Sequence, residues 1–178
     1  MEDQIHMLFE KNVDHFLVSC VGYCISTHIL GIGDRHNDNI MMQSDGHFFH
    51  IDFGHFLGNF KKKFGIEREK TPFIFTPPMA RLLGGVESYR YQQFQQKFYE
   101  GMKILRSQAN FLITLLCLMI PCGIPELRSE KDVVWVFDHL RLFDSKEELK
   151  EYINGKIEES RTCKTTLWND AAHMIRHA

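Results

Sequence analysis

The chain has no uninterrupted hydrophobic run long enough to cross a bilayer as a helix. Its longest, from Phe111 to Ile120 and interrupted only by Thr114, falls well short of the ~20 residues a span needs and reads as a buried helix. An apolar leader is also lacking: Met1-Glu2-Asp3-Gln4 opens the chain and no signal-type segment follows. Charge of one sign is not in excess. The formal net charge is -2, so no global field points to nucleic acid, and an anionic partner must be met by a local patch. Cysteine is sparse and odd in number. Cys20, Cys24, Cys117, Cys122 and Cys163 form no C-x-x-C pair, which argues against a disulfide framework and predicts reduced thiols in an intracellular protein. Cys20 and Cys24, four apart, are expected to pack on one helix face. Internal repeats and low-complexity tracts are absent too.

What is present suffices for one domain with a real core: 178 residues bury roughly 70% of the unfolded surface. Residues 5–29 read as a helix whose buried face carries Phe9, Val13, Phe16, Leu17, Cys20 and Cys24. Gly31 and Gly33 end it and open a loop running to about Asn39. Asn39–Gln43 and His47–Asp52 then read as two strands joined through Ser44-Asp45-Gly46, since Asp-Gly between apolar stretches signals a hairpin. Periodicity disappears from Phe53 to Phe75, an uncommon length for a structureless loop in a compact domain. Thr76-Pro77-Pro78 starts a short helix that Gly84-Gly85 stops. Residues 88–120 read as two helical pieces, the first striped by Phe94, Phe98, Met102 and Leu105. The second, with Phe111, Leu112, Leu115, Leu116 and Met119, is expected to be fully buried. Capping patterns at Ser129 and Ser145 announce helices over 130–141 and 146–159, and a short amphipathic helix with Trp168 closes the chain over 165–177. The fold class expected is mainly α with one small β-hairpin.

The hairpin has chemical content. It places Asp52 beside the loop Asp34-Arg35-His36-Asn37-Asp38-Asn39. Asn39 and Asp52 offer the carbonyl and carboxylate oxygens that suit Mg²⁺, and phosphoryl transfer needs such an ion together with a proton acceptor. His36 is a candidate acceptor; Asp34 can hold its imidazole or position an acceptor hydroxyl, and Arg35 can offset local negative charge. Two alternatives stay open on residue types alone. Asp34 and Arg35 can form a structural ion pair with His36 capping a turn. His36, His50, Asp52 and His55 can instead ligate a transition metal, since imidazoles favour zinc or iron.

Asp34-Arg35-His36-Asn37-Asp38-Asn39 followed by His50-Ile51-Asp52-Phe53-Gly54 resembles the catalytic loop and metal-binding motif of phosphoinositide 3-kinases and their relatives. Ser19–Cys24, Leu30–Gly33, and Phe64-Gly65-Ile66 through Pro72-Phe73 are similar to that family as well. The order Asp-Arg-His, where protein kinases have His-Arg-Asp, favours the lipid-kinase superfamily. The resemblance implies residues 1–178 as the C-terminal lobe of a protein-kinase-like fold, with a catalytic loop over 31–40, a metal motif over 50–55, an activation loop over 53–76 and helices over 77–178. It implies ATP and Mg²⁺ as cofactors, with Asp34, Arg35 and His36 in the catalytic loop and Asn39 and Asp52 as metal ligands. His55 would lie near the transferred phosphate, and Met41, Phe49 and Ile51 would form a floor under the adenine.

No glycine-rich phosphate loop or strand lysine precedes residue 19. The resemblance therefore implies a separate N-terminal lobe as a partner, and a regulatory subunit as a further one. Lys61, Lys62, Lys63, Arg68 and Lys70 face only Glu67 and Glu69, a basic stretch that resembles the activation loop of class I phosphoinositide 3-kinases. Glu67 departs from the family's second basic box. The expectation is phosphorylation of the 3-hydroxyl of a phosphoinositide, phosphatidylinositol 4,5-bisphosphate first, by a cytoplasmic protein recruited to membrane surfaces, with no role for nucleic acid. A non-catalytic lobe that binds lipid or a partner is the other class, with a 4-kinase or a related protein kinase as further readings.

Overall fold

A computed structural model describes residues 2–60, 62–63, 66–67 and 71–163. The described residues form a mainly α unit with two small antiparallel sheets. The long helix α1 (Glu2–Leu30) is its axis. Val13, Phe16, Leu17, Cys20, Cys24 and Ile29 are buried, and the helix packs on α3 (Tyr89–Ser107), on strand β2 (Phe48–His50) and on α5 (Glu130–Leu140). By length and apolarity it could cross a membrane, yet its packing makes it the core helix of the unit. Phe9, expected on the buried face, is 56% exposed; among the described residues the buried face of α1 begins at Val13. Cys20 and Cys24 are buried, with their sulfurs 3.9 Å apart and free, as the four-residue spacing predicts.

The hairpin is shorter than its sequence pattern. Strand β1 (Ile40–Met42) pairs with β2 in the register Ile40 to His50, Met41 to Phe49 and Met42 to Phe48. The turn closes where Gly46 N–H donates to the Gln43 carbonyl at 3.0 Å. Asn39 lies in a 3₁₀ turn, Asn37–Asn39, just before β1. A second pair, β3 (Lys62–Lys63) and β4 (Ile66–Glu67), stands inside the segment 53–75 that has no periodic signal. Two-residue strands are too short for alternation to register.

Helix α2 (Pro77–Leu82) starts at the Thr76 cap, and Gly84 and Gly85, both at positive φ, end it. Helix α3 is capped by Ser88, whose hydroxyl accepts from the Tyr91 N–H, and it buries Phe94, Phe98 and Met102. Its axis and that of α4 (Ala109–Met119) differ by 65°. The expectation that α4 is fully buried fails. Phe111 is 64% exposed, Leu115 and Met119 are exposed, Leu112 is half-buried, and only Ala109 and Leu116 of this helix are covered. The helix rests on α5 and on the turn Ile120–Cys122, so one stripe is covered while its composition is apolar all round. Helix α5 and helix α6 (Lys146–Thr162) begin at Ser129 and Ser145, with Asp132 and Glu148 returning the cap bonds. The helix expected over 165–177, with Trp168, His173 and His177, lies outside the described residues.

Candidate active site

Two non-glycine residues near the hairpin take left-handed backbone conformations: Asp34 at φ 57° and Asp52 at φ 58°. Each costs on the order of 1–2 kcal/mol, so surrounding contacts must hold it in place. They do so in three ways. The Asn39 amide nitrogen donates to the Asp34 carbonyl at 2.7 Å and faces His36 Nε2 at 3.2 Å, closing the loop on itself. The Ile51 N–H donates to the Asn39 carbonyl at 3.0 Å, extending the hairpin register by one pair and bringing Asp52 next to the loop. Arg35 then ties loop to strand. Its Nε donates to the Gly33 carbonyl at 2.9 Å, one terminal nitrogen to the Ile51 carbonyl at 2.8 Å, and the other to the Asp52 carbonyl. The same guanidinium lies over the Phe53 ring, 5.5 Å from its centroid. Arg35 is thereby a positioning residue.

The segment after Asp52 is zipped to the end of α1. Gly33 N–H donates to the His55 carbonyl at 2.9 Å, Leu57 N–H to the Leu30 carbonyl at 2.7 Å, and Gly58 N–H to the Gly31 carbonyl at 3.2 Å. His55 is held beside the start of the Asp34–Asn39 loop in this way, half-buried. A residue with no signal in the local sequence braces the zipper. Trp135, on α5, donates from Nε1 to the His28 carbonyl at 3.3 Å and stacks on His139 at 3.9 Å. Its ring fills the space where a Cβ on Gly31 or Gly58 would sit, and both glycines are at positive φ. The hint in the sequence is only that two glycines flank the motifs at places where bulk is excluded.

Met41, Phe49 and Ile51, the residues expected under the adenine, share a face. Met41 and Phe49 are opposite in the register and Ile51 follows two residues on; Met41 and Ile51 are exposed and Phe49 half-buried. Phe53 adds a further exposed ring. A cleft of about 340 Å³ is bordered by Arg35, His36, Met41, Phe48, Thr76 and Met79, among others.

The oxygens offered by Asn39 and Asp52 fit a hard divalent ion. Asn39 is buried, and its nitrogen is engaged within the loop, which leaves the amide oxygen as the atom it can present. The competing histidine-metal set is not assembled. His50 is buried against Tyr23 and Phe48, and burial together with the nearby Arg35 charge pushes its imidazole down to about 4. It shares no face with Asp52 because the strand ends at His50 and the chain turns left-handed at Asp52. Among the described residues the three-membered group of metal-type ligands is a different one, His15, Asp45 and His47. Lys61, Arg68 and Lys70 lie outside the described residues, as do the side chains of Lys62 and Lys63.

A loop of Asp, Arg, His and Asn locked to an Asp-Phe-Gly strand end is the arrangement of a kinase-like C-terminal lobe. Residues 4–129 match the phosphatidylinositol 3- and 4-kinase family, and the chain belongs to it. It is 45% identical over 97% of its length to phosphatidylinositol 3-kinase 1 of Dictyostelium discoideum, and 46% identical over 98% to phosphatidylinositol 3-kinase 3 of the same organism. It is also 40% identical, over 94% of its length, to phosphatidylinositol 4-phosphate 3-kinase C2 domain-containing subunit beta of Homo sapiens. The chain spans 11%, 10% and 10% of these relatives, respectively.

Proposed function

We propose that this chain carries the catalytic loop and metal-binding motif of a phosphatidylinositol 3-kinase that moves the γ-phosphoryl group of ATP onto the 3-hydroxyl of a phosphoinositide. The observation that supports this best is the lock between the two motifs: Arg35 and Asn39 hold Asp34, His36 and Asp52 at one end of the hairpin. Phosphoryl transfer asks for positioning and charge stabilisation more than for covalent chemistry, and a cross-braced loop supplies positioning.

In this reading His36 accepts the proton of the attacking hydroxyl. Its Nε2 takes a 3.2 Å bond from Asn39, long enough to yield to a substrate hydroxyl; catalytic hydrogen bonds tighten on substrate binding. Asp34, beside it in the loop, orients that hydroxyl, and His55 stands near the transferred phosphate. Asn39 and Asp52 would hold Mg²⁺, which neutralises charge on the phosphate oxygens when bound. Met41, Phe49 and Ile51 offer an apolar surface to the adenine, and an N-terminal lobe covers it from the other side and brings the phosphate-binding loop.

The basic stretch from Lys61 to Lys70 supports a phosphoinositide at a cytoplasmic membrane surface as the acceptor, since clustered lysines attract anionic lipid at ~1 kcal/mol each. Phosphatidylinositol 4,5-bisphosphate is the substrate this charge favours.

The test is a segment exchange. The matching segment of phosphatidylinositol 3-kinase 1 of Dictyostelium discoideum is replaced by this chain, and lipid phosphorylation is measured on phosphoinositide vesicles with ATP and Mg²⁺. Activity in the chimera, lost with His36→Gln or Asp52→Asn, is expected. A folded chimera that binds ATP and phosphorylates no phosphoinositide refutes the reading.

A further inference from the structure

The turn of the hairpin, one strand length from the catalytic loop or roughly 10 Å, carries a cluster that phosphoryl transfer does not use. His15 of α1 reaches across to it. The His15 and His47 rings stack with centroids 4.3 Å apart, and Asp45 touches both. His15 Nδ1 lies 2.8 Å from the Asp45 carbonyl, which can only accept, so the proton is on Nδ1. His47 Nδ1 lies 2.9 Å from Asp45 Oδ2, and the His47 N–H donates to Oδ1 at 3.2 Å. In both rings the bond at Nδ1 leaves Nε2 with a free lone pair.

We propose that His15, His47 and Asp45 form a binding site for a zinc-type transition-metal cation that clamps α1 to the hairpin turn. One ligand atom from each of the three lies within 4.8 Å of the others. Tetrahedral zinc, with bonds of about 2.0–2.1 Å, needs ligands roughly 3.3 Å apart, and rotations of these side chains at the surface close that gap. Two imidazoles with a carboxylate select zinc, nickel or copper over magnesium and calcium, which prefer oxygen alone. An independent feature lies one turn back on the same face of α1. Asn12 donates to the Ser44 carbonyl at 3.2 Å, while its Oδ1 is buried and accepts no hydrogen bond. The clamp joins the same two elements, α1 and the hairpin, that set the position of Asn39 and Asp52.

The test uses the full 178-residue chain without a histidine tag, stripped with a chelator and titrated with ZnCl₂ by calorimetry, and separately with Co²⁺ by visible absorption. One saturable equivalent with Kd well below 1 mM is expected, with d–d bands and no thiolate charge-transfer band. His15→Gln and His47→Gln each weaken binding at least about tenfold, while His6→Gln and Cys122→Ser leave it unchanged. Zinc raises the melting temperature of the unsubstituted chain and not that of His47→Gln, whose circular dichroism without metal is unaltered. No saturable equivalent, or undiminished affinity in both histidine variants, overturns the proposal. A thiolate band that disappears with Cys122→Ser does so as well.

Discussion

Gly58→Ala tests whether Trp135 braces the segment that follows the Asp-Phe-Gly motif. A Cβ on Gly58 would stand 2.8 Å from Cζ3 and 2.9 Å from Cδ2 of the Trp135 ring, with Cε3 nearer still. The ring has little freedom to move. It is stacked on His139 at 3.9 Å, meets Phe60 edge-on at 5.3 Å, and is tied to the His28 carbonyl. Gly58 also sits at φ 75°, where an alanine pays about 1–2 kcal/mol. Overpacking against a fixed ring adds about 1–3 kcal/mol, so the total expected is about 2–5 kcal/mol, a large share of the 5–15 kcal/mol that holds a typical domain. Urea unfolding of the two proteins measures it. Hydrogen exchange then locates it: the Leu57 and Gly58 amides, bonded to Leu30 and Gly31, should lose protection before those of α3 do. In a double-mutant cycle, Trp135→Leu should relieve the steric part and leave the backbone strain, a favourable coupling of about 1–3 kcal/mol. A Gly58→Ala protein within 0.5 kcal/mol of the original, or a cycle that is additive, refutes the brace.

Arg35→Lys keeps the charge but cannot reach three carbonyls, so it should cost on the order of 2 kcal/mol and raise hydrogen exchange at Ile51. Unchanged exchange there would show that the fork is not what joins loop and strand. Acid should destabilise the fold from pH 6.5 downward. Burial lowers His28 to about 3 and His50 to about 4, so the unfolded chain binds their protons first; the stability they confer is complete above pH 6.5 and lost as pH falls through that window. The slope is about 1.4 kcal/mol per pH unit for each such histidine, His139, also lowered by burial, included, and unfolding free energies between pH 6 and 4.5 should show it reduced in His28→Phe. Phe111→Ser should change stability by less than about 0.5 kcal/mol, whereas Leu116→Ala on the covered side of α4 should cost about 2–5 kcal/mol; equal losses in denaturant titrations would mean that α4 is covered on both sides. In the active chimera, Lys61→Ala with Lys62→Ala should lower turnover of phosphatidylinositol 4,5-bisphosphate more than that of phosphatidylinositol, and equal losses on the two lipids would exclude headgroup reading by this stretch.

What could be read from the residues was local. The hairpin, the caps at Thr76, Ser129 and Ser145, and the break between α3 and α4 follow from turn chemistry and spacing within a few residues, and each stands where that chemistry places it. Burial is not local in the same sense. Phe111 and Leu116 sit in one apolar run, and only the arrival of α5 and the turn Ile120–Cys122 decides which of them is covered. His50 and Asp52 were legible as neighbours on a strand, but the left-handed turn at Asp52 sends one into the core and leaves the other exposed. The candidate site divides along the same line. The side chains proposed to carry the chemistry lie within thirteen residues, Gly31–Asn39 and Ile51–Phe53 with His55. What holds Asp34 and Asp52 in conformations that most residues avoid is a set of backbone carbonyls met by Arg35 and a zipper backed by a tryptophan some hundred positions away on α5. Strain at two aspartates is sustained only by contacts that cannot relax together, and such contacts join elements too distant in sequence for any motif to contain them.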